Sequence, residues 1–148
     1  MKRRHLFEFE DQPWLPAVWR DLLTDVLRHH IAEDGMYDAA LPRLADLLRR
    51  SGAGRVIDCC SGAAGPWPGL LDGLGRLGLA PEVLLTDKYP NRRAARRIAL
   101  AGDRRIAYHP QPVDATGLPP ELVGLRTFFS SFHHFRPAAA SSRSSAGV

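Results

Sequence analysis

Between Pro16 and Ala32 the apolar residues recur every three to four positions. Val18, Leu22 and Val26 form one column, and Trp19, Leu23 and Leu27 form the next. That period is helical, and Pro16 suits a first helical turn, where the N–H it lacks has no partner anyway. The stretch Ala32 to Gly35 ends the segment. A second helix is predicted from about Tyr37 or Pro42 to Arg50, carrying Leu41, Leu44, Leu47 and Leu48. Ser51-Gly52 closes it, because glycine takes the left-handed terminal conformation at least cost.

From Arg55 the pattern changes. Val56-Ile57-Asp58-Cys59 reads as a short buried strand that carries an acid near its end. Trp67 to Leu77 returns to helical spacing, weakened by Gly69, Gly73 and Gly75. Glu82 to Asp87 is a second strand ending on an acid, and Asn91 to Ala101 is a helix. Arg105 to His109 is a short third strand leading to Pro112-Val113-Asp114-Ala115. Leu125 to Phe132 is the last strand, with His133-His134-Phe135 after it. Strands alternating with helices imply an α/β protein with a parallel sheet and right-handed crossovers. No internal repeat is present. After Arg136-Pro137 the chain reads AAASSRSSAGV, a composition that has nothing to bury and predicts disorder.

Composition narrows the class. A chain of 148 residues, 45% apolar and 24% charged, suits one globular domain. No apolar run is long enough to cross a bilayer, and the charged N-terminus does not resemble a secretion signal, so a cytoplasmic location is expected. Cys59 and Cys60 are adjacent, which fits neither a disulfide framework nor metal-ligand spacing. They read as small buried residues in a reducing compartment. The formal charge of +4 comes largely from arginines, with Arg92, Arg93, Arg96, Arg97, Arg104 and Arg105 clustered. A basic patch can mean nucleic acid. These arginines, however, alternate with Ala94, Ala95, Ile98 and Ala99 as an inward face, and no aromatics are interleaved for base stacking. A solvated helix face is the expected reading. His5, His29, His30 and His109 lack ligand spacing, so no metal is expected.

Chemistry concentrates at the strand ends. Asp58, Asp87 and Asp114 each follow or close a predicted strand. In an open parallel sheet that is where ligands sit. A carboxylate there is costly to bury unless a ligand or amide groups meet it. The loop after the first strand, Cys60-Ser61-Gly62-Ala63-Ala64-Gly65, has almost no side chains, so a ligand can approach its backbone. The dinucleotide fingerprint needs denser glycine than Gly62 and Gly65 supply, and the phosphate-loop lysine is absent. Asp58 is also a poor neighbour for phosphate. A phosphate-free ligand with a cationic amino-acid end suits the acids better.

Val56-Ile57-Asp58-Cys59-Cys60-Ser61-Gly62-Ala63-Ala64-Gly65, then Leu84-Leu85-Thr86-Asp87, then Val113-Asp114-Ala115, then Phe132-His133-His134-Phe135, resembles the ordered motifs of class I S-adenosylmethionine-dependent methyltransferases. The resemblance covers residues 53 to 137. It implies a Rossmann-like sheet of about four strands in the order 3-2-1-4. It further implies that Asp58, Ser61, Gly62 and Gly65 contact the aminoacyl part of S-adenosyl-L-methionine. Asp87 would take the ribose hydroxyls, with Lys88 and Tyr89 able to flank the adenine, and Asp114 and Ala115 would meet the adenine. The sequence departs from the family at the usual middle glycine, where Cys60 and Ser61 stand. His134, or His133 in its place, would accept a proton from the methyl acceptor.

The same resemblance makes residues 1 to 52 a helical lid, with Trp14, Trp19, Met36 and Tyr37 over the ligand, and leaves 138 to 148 as a disordered tail. The last strand lacks the Asp/Asn-Pro-Pro-aromatic motif of amino-group methyltransferases acting on bases or glutamine. A small, partly apolar acceptor is therefore expected. Four strands are countable where the family has seven, so the chain reads as a C-terminally truncated, cofactor-binding half. Its sheet edge would then be open to self-association or to completion by a partner. Two other readings stay open: a non-catalytic cofactor-binding or interaction module, and a nucleotide- or NAD-binding domain.

Overall fold

Arg55–Cys59 (β1) is buried at every position after its first residue, as a strand covered on both faces must be. In the computed structural model, which describes residues 12–33, 37–129 and 131, β1 lies at the sheet's interior. On one side it pairs with Glu82–Thr86 (β2), and on the other with Leu125–Thr127 (β4). Ile106–Tyr108 (β3) adds to the far edge of β2. All pairings are parallel, and the order is β3-β2-β1-β4. The helices are Ala17–Glu33 (α1), Leu41–Ser51 (α2), Trp67–Arg76 (α3) and Arg92–Ala101 (α4), with a 3-10 turn at Asp38–Ala40. The fold is α/β and Rossmann-like, as the sequence implies.

Alternation along the strands divides the interior into two cores. Val56, Val83 and Leu85 face α2, α3 and α4, where they pack with Leu48, Leu71, Leu74, Trp67 and Ile98. Ile57 and Cys59 face the opposite way and are covered by Val113, Ala115 and Leu122 from the coil that leads into β4. Asp58 shares its face of β1 with Val56, so its carboxylate enters the helix-covered side. α2 ends as expected on a left-handed glycine, Gly52, and α4 ends on another, Gly102.

Three expectations are revised. The last strand stops at Thr127 rather than Phe132, although Phe128 and Phe129 beyond its end still alternate between the two cores. Phe129 sits edge-on to Trp67 at 5.7 Å and to Tyr37 at 5.0 Å. The third strand is shorter than predicted, at Ile106–Tyr108. The largest difference concerns α1. Its columns Val18, Leu22, Val26 and Trp19, Leu23, Leu27 are exposed, at 42–70%. The polar residues Arg20, Thr24 and Asp25 face the body instead, because each finds a specific partner there. Met36, Phe132, His133, His134, Phe135 and the tail 138–148 lie outside the described residues. Among the described residues no helix is long and apolar enough to cross a membrane.

Candidate functional site

The segment between β1 and α3 curls back on itself. Cys60, Gly62, Ala64 and Gly65 all have positive φ, at 58°, 49°, 84° and 47°. Glycine takes that conformation freely, whereas Cys60 and Ala64 each store about 1–2 kcal/mol of strain. Such a path persists only where the surroundings hold it, and here β2, the turn after it, β3 and α4 do so.

The β2 strand supplies the first restraint. Ser61 N–H donates to the Thr86 carbonyl at 3.0 Å, and Thr86 N–H donates to Ser61 Oγ at 3.2 Å. The Thr86 hydroxyl donates to the Asp58 carbonyl at 2.9 Å. Just past β2, Asp87 Oδ2 accepts the Gly62 N–H at 2.8 Å, while its Oδ1 accepts the Tyr89 N–H at 2.8 Å. From β3, the Tyr108 hydroxyl donates to the Gly62 carbonyl at 2.9 Å. Burial, and then the charge of Asp87, hold that phenol well above its ordinary range. From α4, Arg97 Nη2 donates to the Ala63 carbonyl at 3.0 Å.

Asp58 stands behind this loop and is fully buried. Its Oδ2 accepts the Ser61 hydroxyl at 2.6 Å. Its Oδ1 accepts the hydroxyl of Thr127, its lateral neighbour on β4, at 2.7 Å. Burial pushes its carboxyl up to about 6, against the pull of Ser61, Trp67 and Thr127, and the charge of Asp87 adds to the rise. The buried Trp67 indole N–H lowers it although it makes no hydrogen bond of good geometry, and Ser61 links Asp58 directly to the loop.

The other predicted residues form an outer edge. Val113 N–H donates to the Asp87 carbonyl at 2.8 Å, which sets Asp114 beside Asp87 and Lys88. Lys88 Nζ is 3.5 Å from Asp114 Oδ2, and both side chains are exposed. Asp114 Oδ1 accepts from the Thr116 N–H at 2.7 Å and the Thr116 hydroxyl at 2.6 Å. Those bonds hold its carboxyl below the usual range. Ala115 is buried in the second core. Asp87, Lys88 and Asp114 are thus brought together past the end of β2, and of these Asp87 bonds the loop, at Gly62. Gly65 lies further along, with open space where a Cβ would stand. The predicted proton acceptor His134 and its neighbour His133 lie outside the described residues.

Polar residues of α1 roof this edge. The Thr24 methyl would lie 3.2 Å from a Cβ at Gly62, and Thr24 Oγ1 accepts from Asn91 Nδ2 at 3.1 Å. Asp25 pairs with Arg97 Nη1 at 3.2 Å. The Arg20 guanidinium lies 4.0 Å over the Tyr89 ring and donates to the carbonyls of Gln12 and Leu15 at 2.8 and 3.2 Å. Sequence reasoning missed Thr24, Asn91, Arg97, Tyr108 and Thr127. Asn91 carried a signal as a cap residue just before a helical run. Arg97 departs from the solvated basic face expected of its helix: Arg92, Arg93 and Arg96 do face solvent, yet Arg97 turns onto the loop. Among the described residues no group of three or more His, Cys, Asp or Glu could hold a metal.

The molecule is a Rossmann-like α/β protein with an acid at or beyond the carboxyl end of each of three adjacent strands and a braced glycine loop. No family model, curated protein or solved structure matches the chain.

Proposed function

We propose that this chain binds S-adenosyl-L-methionine at the carboxyl ends of β1, β2 and β3 and serves methyl transfer to a small, partly apolar acceptor in the cytoplasm. The observation that carries this reading is the bond from Gly62 N–H to Asp87. In a dinucleotide or phosphate site the loop amides are the anion cradle. Here a carboxylate already occupies the Gly62 amide, with Asp58 close enough to feel its charge. A phosphate would meet repulsion, whereas a ligand that is cationic at one end and carries a diol and a base at the other would not.

The residues fit such a ligand by donor set. A carboxylate offers about four acceptor sites, so bracing Gly62 and meeting a ribose hydroxyl are compatible roles for Asp87. Asp114, kept ionised, and Ala115 would border the adenine, with Lys88 holding Asp114 in place. Gly62 and Gly65 let the aminoacyl end lie against backbone, and Ser61 fixes that backbone to Asp58. When bound, the cofactor supplies a methyl group on a sulfonium. His134 is the proposed proton acceptor for the methyl acceptor's hydroxyl.

The test is transfer of labelled methyl from the cofactor into the small-molecule fraction of a cell extract. Label appearing in that fraction, and falling with Asp87→Ala, is the expected result. Cofactor binding with no transfer to any fraction would make the chain a binding module instead of a transferase.

A further inference from the structure

An amphipathic helix ordinarily turns its apolar stripe inward. In α1 the order is reversed, with Arg20, Thr24 and Asp25 bonded to the body and the six-residue stripe turned away from it. Trp14, just before the helix, is exposed at 62% and extends the apolar surface. From the usual areas of aromatic and aliphatic side chains, the patch presents roughly 600–800 Å². The largest patch on a typical monomer is about 300–600 Å², and one side of a standard protein interface is about 800 Å². The area therefore matches half of an interface.

We propose that α1 is a self-association helix, through which two copies of this chain pair antiparallel about a two-fold axis passing between Leu22 and Leu23. A two-fold interface must be complementary to itself, and this stripe is. With that centre Trp19 of one copy meets Val26 of the other in the middle of the seam, while Leu22 and Leu23, on its two sides, each meet their own symmetry mates. Val18 and Leu27 border the stripe on opposite sides, and the largest residue faces one of the smallest. A membrane surface is the poorer occupant. Helices that lie on membranes carry a lysine- and arginine-rich polar face, whereas α1 carries two arginines against three carboxylates, and its polar face is spent on the body. The pairing surface is also separate from the strand edge of β4.

Light scattering of the full chain at micromolar concentration is expected to give twice the 16.4 kDa of one chain. Trp19→Glu and Val26→Glu each place like charges in the apolar seam and should weaken pairing by roughly 100-fold or more, giving the single-chain mass. Both positions face away from the body, so far-ultraviolet dichroism should be unchanged. Trp19→Lys combined with Val26→Glu in one chain sets opposite charges against each other twice and should restore the doubled mass. A wild-type chain of single mass overturns the proposal. So does a dimer that survives both glutamate variants, which would assign the contact to another surface. A monomer that sediments with anionic vesicles and loses that ability in Val26→Glu would assign the stripe to a membrane.

Discussion

Asp87 and Gly62 follow different strands, yet the Asp87 carboxylate holds the Gly62 amide at 2.8 Å. The bond fixes the glycine loop after β1 to the end of β2, and the same carboxylate orders the turn at Tyr89. Asp87→Ala leaves two N–H donors without this acceptor. The expected loss is about 2–3 kcal/mol in urea unfolding, the scale of hydrogen bonds to a charged group. Asp87→Asn keeps one acceptor oxygen and should lose about half as much. Equal losses in the two variants would mean that the charge, and not the geometry, is what the loop requires.

Asp58 sets a pH dependence of unusual sign. Its carboxyl is pushed up to about 6 in the folded protein, from 3.8 without burial. Between those values the folded chain binds a proton that the unfolded chain does not. The stability it confers is complete below pH 3.8 and is lost as pH rises through about 6. Asp58→Asn removes the titration while keeping a polar group against Ser61 and Thr127. The stability of wild type minus variant should fall by up to about 3 kcal/mol from pH 4 to pH 7. A flat difference curve would show that Asp58 titrates normally. Asp103 and Asp114, both held low, act in the opposite direction and cancel in the subtraction.

Gly62 and Gly65 should differ under the same substitution. Both have positive φ, so alanine at either costs about 1 kcal/mol of backbone strain. At Gly65 nothing lies within 4 Å of the new Cβ, while at Gly62 it meets the Thr24 methyl at 3.2 Å. Gly62→Ala should therefore cost about 1 kcal/mol more than Gly65→Ala. Thr24→Ser, which deletes the methyl and keeps the hydroxyl bonded to Asn91, should recover that difference in the double variant. Thermal unfolding of the three variants against wild type reads the outcome.

Asn91 joins α4 to α1. Its Oδ1 caps α4 by accepting the Ala94 N–H at 2.8 Å, and its amide reaches Thr24. Asn91→Ala should cost about 1–2 kcal/mol, because it removes the cap and the tie together. Asn91→Asp keeps the cap alone. Hydrogen exchange in α1 should rise in both variants, but exchange at the start of α4 should rise only in the alanine variant.

How much of this was visible in the sequence depended on whether local pattern or tertiary contact decided the outcome. The continuous apolar run of β1, the helical spacing of α2 and α4 and the glycine stop at Gly52 are local, and all four appear where expected. The resemblance carried the strand order. The end of β4 was misjudged because Phe128 and Phe129 continue an apolar run that the sheet does not use. Periodicity identified the α1 stripe correctly but could not say which way it faces. That was decided by Thr24, Asp25 and Arg20 finding Asn91, Arg97 and Tyr89, all more than sixty residues away in sequence. For the site, Asp87, Lys88 and Asp114 do gather at one edge, whereas the bracing from Tyr108 and Thr127 had no sequence signature beyond their nearness to strand ends.

The most direct measurement is calorimetric titration of S-adenosylhomocysteine into the wild-type chain and into Asp87→Ala, with NAD as a parallel ligand. Saturable heat from S-adenosylhomocysteine in the wild type, lost in Asp87→Ala and absent with NAD, is the expected outcome. NAD binding while S-adenosylhomocysteine gives no heat would show that the carboxylates at the carboxyl ends of β1, β2 and β3 do not frame a phosphate-free adenosyl ligand.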